Sequence, residues 1–433
     1  MPLPEPEIDH PAGGEPAAGS AARERSQATG REFILLVTAL MATTALGIDL
    51  MLPAFPEIRQ QFGMAPDSTQ VAWIVTAYFL GMAAGPWLYG PASDRFGRRK
   101  PLLAGLALYA VAATTAALAP SWKLIVVARF VWGLGAAGPR SLSVAMIRDR
   151  FEGDAMARLM SMIMAVFMLV PIVAPGVGAG LIAILPWRAV FWFPAIAAGL
   201  LMVWSRRLPE TLTPALQRPF TWRAVGAAGR EVVTHRQTMA LTAAMVCLFA
   251  SMTTYLAGSE VILEDTYGYG SWFPLFFGGI AVLLAVNSLN NARLVGRLGV
   301  VRLLRLEAMI ALAAALALVA ISFASDGGRP SFWLFVLVLA VLLPAVQGLA
   351  PNTNTLAMSP LPHVAGTASA IISTLTSAGG ALLGGLASGA FDGTVRPFAV
   401  YLLVFAGVAA TFIVWGTAAA ERERKATAAN AAR

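Results

Sequence analysis

The sequence has very little charge for its length. Only 12% of its 433 residues are charged and 58% are hydrophobic. A soluble globular protein has about 25% charged residues and roughly 45–50% apolar ones. It also contains a single cysteine, Cys247, so no disulfide can form within the chain. The shortage of charge argues against a soluble protein and indicates a membrane protein.

Several motifs of common enzyme classes are absent as well. The sequence has no G-x-x-x-x-G-K-[ST], and none of its three lysines follows a glycine, which argues against ATP hydrolysis. It also lacks H-E-x-x-H and G-x-S-x-G. The three histidines, His10, His235 and His363, lie outside the long apolar runs, so a histidine relay through a membrane is not expected. We therefore expect no enzyme activity, no cofactor and no metal site.

One glycine motif resembles a nucleotide site but lies in the wrong context. Gly133, Gly135 and Gly138 match G-x-G-x-x-G inside a long apolar run. The dinucleotide fingerprint requires a strand, a tight turn and a helix. Small residues that let helices pack closely explain the pattern better.

Long apolar runs are what the sequence has in abundance. An apolar run of about 20 residues can cross a ~30 Å hydrocarbon core as a helix. The alternating pattern of a membrane barrel is not seen. The fold class predicted is an all-α polytopic membrane protein with twelve transmembrane helices in two six-helix halves. The expected spans are 33–53, 69–90, 102–119, 123–147, 158–184, 189–205, 239–259, 272–290, 304–325, 331–353, 366–388 and 397–419.

The distribution of basic residues predicts the orientation. Arginines are concentrated in both tails and in the even-numbered loops, so the positive-inside rule places both termini in the cytoplasm. The same bias explains the net charge of +8 without a nucleic-acid partner. The expected units are a disordered cytoplasmic tail (1–32), an N-terminal half (33–205), a cytoplasmic linker (206–238), a C-terminal half (239–419) and a second tail (420–433). The partner expected from this distribution is the lipid bilayer, with the protein as a monomer.

A loop is repeated in the two halves. The loop after the second span reads GPASDRFGRRKPLL (Gly90–Leu103), and the loop after the eighth reads NARLVGRLGVVRLL (Asn291–Leu304). The second copy has Gly296 in place of Asp94. The halves therefore look duplicated and diverged.

The first copy of this loop resembles the signature G-x-x-x-D-R-x-G-R-R of the major facilitator superfamily. Other segments resemble that family's motifs in the same order, and some are similar to the bicyclomycin- and chloramphenicol-resistance branch of drug:proton antiporters. They are Ile48–Ile58, Ala128–Gly138, Val170–Gly180, Trp187–Ala195, Leu208–Leu212 and Tyr255–Gly268. The resemblance implies a secondary antiporter of a bacterial inner membrane that exports hydrophobic drug-like compounds against protons. A metabolite exporter or importer on the same fold is the main alternative, and a channel or an intramembrane enzyme is a remoter one.

The repeated loop also has a physical interpretation. Gly90 would let its helix approach a neighbour closely, and Asp94 could bond Arg98 or cap a facing helix. We expect these contacts to hold the two halves together in one state and to release in another. The residues of this expected latch are Gly90, Asp94, Arg95, Gly97, Arg98 and Arg99.

Asp49 is the residue that least suits an apolar span. A carboxylate at the centre of a membrane helix costs on the order of 2.5–3.5 kcal/mol and normally faces a cavity or a partner. Helical rise puts Asp49 ~24 Å from the cytoplasmic end of the first span and Arg129 ~9 Å from the outer end of the fourth, at similar depth. We expect Asp49 to bind the proton or a cationic substrate, with Arg129 as its tuning partner. A static Asp–Arg pair that fixes two helices is the alternative.

Two further groups complete the candidate site. Pro171, Pro175, Gly176 and Gly180 in the fifth span resemble the antiporter hinge motif, in which proline kinks the helix; plain helix packing is the alternative. Trp132 stands where the family usually has Gln, which suggests stacking on flat or aromatic compounds. Residues expected to line a pocket are Trp73, Tyr78, Trp132, Arg140, Tyr255 and Asn354.

Overall fold

The computed structural model describes residues 17–151, 153–212 and 222–431. Within these ranges the chain is helical, with no β-strand. The expected tail up to residue 16 and the linker residues 213–221 lie outside the described residues. The helices are α1 (Ala17–Asp49), α2 (Phe55–Gln61), α3 (Trp73–Phe96), α4 (Arg99–Leu118), α5 (Trp122–Arg150), α6 (Gly153–Ile184), α7 (Ala189–Ser205), α8 (Trp222–Thr234), α9 (Arg236–Val261), α10 (Phe273–Leu298), α11 (Val300–Ala324), α12 (Phe332–Met358), α13 (Ala365–Gly389) and α14 (Arg396–Ala431).

The predicted all-helical architecture is confirmed. Apart from α2 and α8, every α-helix of the described ranges has 17 residues or more, which leaves twelve long helices. Nine of the spans among them are long and apolar enough to cross a membrane, and the end of α6 with α7 forms a further bent pair with an angle of 118°. α5 is not among the nine, because Arg129, Arg140 and three glycines lower its mean hydropathy. A belt of exposed apolar side chains suits contact with lipid: Val111, Ile184, Leu275, Trp333 and Leu337.

The helices pack as two groups. α1 and α3–α7 contact one another, and α9–α14 contact one another. The groups meet mainly where α3 packs on α13 and α6 packs on α10. At the first of these seams Trp87 Nε1 donates to Thr374 Oγ1 at 2.9 Å, and Thr374 Oγ1 donates to the Ala83 carbonyl at 2.8 Å. We call the bundle end at Arg99, Arg150 and Arg236 the terminal face, and the end with α2 the opposite face.

The glycines of α5 have a packing role. A Cβ at Gly133 would collide with the carbonyl oxygen of Tyr78 on α3, and one at Gly135 would lie 2.5 Å from the Tyr109 nitrogen on α4. Close contact between α5 and both neighbours therefore depends on glycine. This explains the G-x-G-x-x-G pattern without a nucleotide.

Several helices are longer than the expected spans. α1 begins at Ala17, within the expected tail, and α14 continues to Ala431. Both extensions are rich in alanine, arginine and glutamate, which favour helix. α8 lies within the expected linker, where Val232 packs on Leu361, Ala368 and Ile371. The first span differs most, because α1 stops at Asp49 and the chain continues through a 3₁₀ turn into α2.

Candidate functional site

Asp49 lies at a break in a membrane-spanning segment. It is the last residue of α1, and the 3₁₀ turn Leu52–Ala54 with Pro53 separates it from α2. The side chain is only 4% exposed. Broken helices place backbone polar groups and ionisable side chains at ion and substrate sites in many transporters. Helix α1 therefore delivers an acid to the interior at the point where its α-helical hydrogen bonding gives way to a 3₁₀ turn.

Arg129 is fully buried and bonds backbone rather than an acid. Its Nη1 donates to the Gly47 carbonyl at 2.7 Å and its Nε donates to the Ile74 carbonyl at 3.0 Å. Nη2 is buried without a hydrogen-bond partner. In the described part of the chain Arg129 forms no ion pair, with Asp49 or with any other acid. Arg129 thus holds the backbone two residues before Asp49, and its contact with Asp49 is indirect.

An aromatic cage surrounds this guanidinium. The Arg129 Cζ lies 4.4 Å from the centre of the Tyr78 ring and 4.6 Å from that of Trp132, within cation–π range. Tyr109 packs edge-on against Trp132 at 5.3 Å. The ring faces supply the negative potential that a buried cation needs when no carboxylate is paired with it.

Two tyrosines of the cage also clamp α1. Tyr78 Oη donates to the Thr44 carbonyl and Tyr109 Oη donates to the Thr43 carbonyl, both at 2.9 Å. A Cβ at Gly47 would lie 2.8 Å from the Tyr109 hydroxyl and 3.0 Å from the Tyr78 hydroxyl. Gly47 therefore lets the clamp close on the last turn of the helix that carries Asp49.

The second half contributes Tyr255 from α9. Its ring stacks on Phe277 at 5.4 Å with an interplanar angle of 9°, and its hydroxyl is buried without a hydrogen-bond partner. Asp49 is close enough to interact electrostatically with both Tyr255 and Tyr78. Asp49 is consequently within electrostatic range of one residue of the C-terminal half, whose hydroxyl is buried without a hydrogen-bond partner.

The expected pocket is assembled only in part. Tyr78, Trp132 and Tyr255 lie around the Asp49–Arg129 region, and exposed Arg140 interacts electrostatically with Tyr78. Trp73 begins α3 beside Ile74, whose carbonyl accepts from Arg129, and its side chain is 38% exposed. Asn354 lies about 6 Å from the terminal-face end of α12, far from Asp49 near the opposite face.

The loop between α3 and α4 is organised by Arg98. Its Nη1 donates to Asp94 Oδ1 and to Ser93 Oγ, each at 2.7 Å. Its Nε donates to Asp149 Oδ2 on α5 at 3.0 Å. The predicted Asp94–Arg98 bond is present, and Asp149 is a partner that the sequence did not suggest.

The helix cap predicted for Asp94 is supplied by Glu210 instead. Glu210 follows α7. Its carboxylate accepts from the backbone nitrogens of Arg98 at 2.6 Å and Arg99 at 3.1 Å, at the start of α4. Burial alone would raise the pKa of Glu210, but bonds from four backbone N–H groups lower it below its ordinary value. Gly97 has φ +81°, and a Cβ there would collide with Glu210, so this loop requires glycine.

The described hydrogen bonds and ion pairs of the expected latch residues stay within the N-terminal half and the start of the linker, and none reaches the C-terminal half. The described partners of Asp94, Arg98 and Arg99 all lie within α3–α5 and the segment Arg206–Glu210, and Arg95 packs on Phe96. Gly90 does not allow the close approach expected of it, because it is exposed and a Cβ there would meet nothing within 4 Å. Close approach occurs one turn earlier, where Gly85 faces Ala137.

In the expected hinge, too, some glycines face open space and another allows close packing. Pro171 and Pro175 lie inside α6, which is continuous from Gly153 to Ile184. Gly176 and Gly180 are exposed and face open space, whereas a Cβ at Gly178 would collide with the Leu50 carbonyl. Gly178 is thus the residue that brings α6 against the break after Asp49.

An ion pair between the halves was missed by the sequence reasoning. Arg59 on α2 donates to Glu260 on α9 through two bonds, Nη2 to Oε2 at 2.5 Å and Nη1 to Oε1 at 3.2 Å. Both side chains are 3% exposed, and Arg59 Nε also donates to the Ser68 carbonyl at 3.0 Å. The available signal was weak: Arg59 was one of few basic residues on its side of the membrane, and Glu260 one of several acids at the end of α9. The pair joins the halves at the opposite face.

Comparisons with known proteins agree with this geometry. A profile of the Major Facilitator Superfamily matches residues 37–385. The bicyclomycin resistance protein homolog of Haemophilus influenzae is 27% identical over 370 residues, covering 84% of this chain and 91% of that one. The multidrug transporter MdfA of Edwardsiella ictaluri is 28% identical over 291 residues, covering 64% and 68%. The crystal structure of a D-xylose-proton symporter has the same fold, with a TM-score of 0.69 at 15% identity over 88% of this chain and 97% of that one.

Proposed function

Because this chain belongs to the Major Facilitator Superfamily, and is thus a membrane transporter and not an enzyme, we propose that it is a proton-driven multidrug exporter. The relatives named for bicyclomycin resistance and multidrug transport support this choice of cargo. In the proposed arrangement the protein lies in a bacterial inner membrane with both termini in the cytoplasm, so that the opposite face is outside.

The observation that carries the proposal is the setting of Asp49. It is a buried acid at a helix break between the halves, without a described cationic partner. An isolated carboxylate in a membrane interior is costly when charged, so it gains by binding either a proton or a positively polarised substrate. Competition between the two for one carboxylate is the requirement for antiport.

Arg129 acts in this proposal as a positioning residue. It holds the Gly47 and Ile74 carbonyls, and so fixes the last turn of α1 against α3. The cage that contains it presents large aromatic rings close to Asp49. Both rings are buried in this structure, so flat apolar compounds would stack on them in a state that exposes them, where the Tyr255 hydroxyl would supply one polar contact.

The conformational cycle would use three devices. In this scheme the Arg59–Glu260 pair would hold the outer side closed. The Asp94–Arg98 loop would exchange its present contacts within one half for contacts between halves in the other state. Pro171 and Pro175 would let α6 bend where it packs on both α1 and α10.

Everted membrane vesicles test the proposal. Efflux of a panel of hydrophobic dyes and antibiotics is measured after energising with a proton gradient, with and without a protonophore. We expect the wild type to take these compounds up into the vesicles, and the protonophore to abolish this uptake. Asp49→Asn should show no uptake, and Asp49→Glu should keep part of it. Full proton-dependent transport by Asp49→Asn would show that the acid is structural. Transport of a single metabolite alone would instead support the rival function on the same fold.

A further inference from the structure

A second buried acid lies in the C-terminal half, far from Asp49. Glu307 on α11 is 6% exposed and is surrounded by three asparagines, Asn287 and Asn291 on α10 and Asn352 on α12. Helical rise puts Glu307 about 10 Å from the terminal-face end of α11, whereas Asp49 lies towards the opposite face. The cluster is separate from the proposed antiport site, and the described hydrogen bonds of its asparagines all lie within α10, α11 and α12.

The cluster is built around one glycine. A Cβ at Gly348 would collide with Glu307 Oε1 and would lie 2.8 Å from Asn287 Nδ2. The carboxylate and the amide therefore converge on the space that a side chain at Gly348 would fill. Gly348 is on α12, so all three helices α10, α11 and α12 contribute to one polar pocket.

The asparagine amides of this cluster also bond other acceptors. Asn287 Nδ2 donates to the Pro344 carbonyl at 2.8 Å and Asn291 Nδ2 donates to the Gly348 carbonyl at 3.3 Å. Asn352 Nδ2 donates to Asn291 Oδ1 at 2.9 Å and to the Gly348 carbonyl at 3.2 Å. Glu307 Oε2 is buried with no hydrogen-bond partner. Asn352 also hydrogen-bonds the Glu307 carboxylate, but one oxygen of that carboxylate is left without a partner.

No opposite charge within the described residues compensates this acid. Arg302 and Arg305 on α11 and Arg293 and Arg297 on α10 are exposed, and Glu307 forms no ion pair with any of them. α12 carries no titratable side chain, and the described side chains of α14 that could face Glu307 are uncharged. An unpaired buried charge is among the costliest features in a protein, and neutralisation by a proton removes that cost.

We propose that Glu307 is a second proton-binding site, with Asn287, Asn291, Asn352 and Gly348 as its polar cradle. The incoming proton binds a carboxylate oxygen and converts it to a neutral carboxyl, whose O–H can donate to an amide oxygen of the cradle. On release the proton returns to water at the terminal face. In this proposal Glu307 binds its proton whether or not Asp49 carries the proton of the export cycle. If both acids bind protons, the protein could move more than one proton per cycle.

Infrared difference spectroscopy on the reconstituted full-length protein tests this site. Spectra at acidic and alkaline pH report the C=O stretching bands of protonated carboxylic acids. We expect Glu307→Gln to lose one such band that Asp49→Asn retains. An identical set of bands in the wild type and in Glu307→Gln would overturn the proposal. Loss of a band only in Asp49→Asn would overturn the second site and leave the first intact.

A second variant and an ion control keep the test decisive. Asn352→Leu keeps Glu307 but removes a neighbouring amide, so the band that Glu307→Gln loses should shift in frequency; no shift would contradict the cradle. If adding Na⁺ at constant pH abolishes that band, the pocket binds a metal cation in place of the proton, which also overturns the proposal. Thermal melting of each variant checks that it is folded.

Discussion

Arg59 and Glu260 join the two halves through a bidentate ion pair that is almost completely buried. Arg59 is on the short helix after the break at Asp49, and Glu260 is on the helix that carries Tyr255. This ion pair at the opposite face is therefore connected through the backbone to both sides of the proposed proton site. A change at Asp49 that moves the α1 break would be transmitted to this pair directly.

Neutralising one member of the pair should open the opposite face. In Arg59→Ala the charge of Glu260 would be left buried and unpaired, at a cost of about 3–5 kcal/mol to the closed state. We expect the ratio of closed to open molecules to fall by roughly a hundredfold or more, since each 1.4 kcal/mol is about a factor of ten. Spin labels at exposed positions 60 and 271, in a Cys247→Ser background, measure the distance between the halves by pulsed electron resonance.

The matched control for the Arg59–Glu260 pair is the charge swap. Arg59→Glu combined with Glu260→Arg restores opposite charges, so it should recover part of the closed population that either single change loses. Equal distance distributions in the wild type and Arg59→Ala would mean that the pair does not hold the halves together.

Replacing Arg129 with lysine should impair both stability and transport. A lysine keeps the charge but cannot bridge the Gly47 and Ile74 carbonyls with the planar geometry of the guanidinium. Loss of one charge-assisted hydrogen bond costs about 1.5–3 kcal/mol. Thermal melting in detergent and dye efflux measure the two effects, with Arg188→Lys as a control in which a guanidinium lies over the single ring of Trp187. Wild-type melting and efflux in Arg129→Lys would rule out the positioning role.

The Glu210 cap should make the stability of the N-terminal half depend on pH. Because the folded-state pKa of Glu210 is lower than its ordinary value, its stabilising effect is present above that value and disappears as the pH falls through the folded-state pKa. Glu210→Gln should therefore melt a few degrees below the wild type at neutral pH, and the difference should vanish in acid. Asp67→Asn, which removes an exposed acid at the opposite face, is the control. A melting difference that is the same at all pH values would argue against this cap.

The fold was largely predictable because membrane helices are specified by local composition. Apolar runs of sufficient length predicted the helices, and the long basic connection separated the halves. Asp94 and Arg98 are four residues apart at a helix end, so their bond could be read from spacing. Contacts between distant segments could not be predicted from spacing. Glu210 lies 112 residues from Arg98, whose backbone N–H donates to it, and Glu260 lies 201 residues from Arg59.

The relation between Asp49 and Arg129 shows where depth arguments stop. Counting residues along two antiparallel helices correctly suggested that α1 and α5 meet near this level, since Arg129 does contact α1. Depth along a helix does not fix the direction of a side chain or reveal a helix break. The arginine therefore bonds the backbone of α1, and the acid is at the end of the helix rather than within it. Likewise, the composition of α11 does not reveal that three asparagines from two other helices surround Glu307.

Proton release on substrate binding tests the central claim most directly. Purified protein in weakly buffered detergent solution is mixed with a compound that the vesicle assay identifies as transported, and a pH-sensitive dye records the protons released. If proton and substrate compete for Asp49, the wild type should release protons on binding and Asp49→Asn should release fewer, by the share that Asp49 carries. Undiminished release from Asp49→Asn, with the compound still bound, would contradict the account.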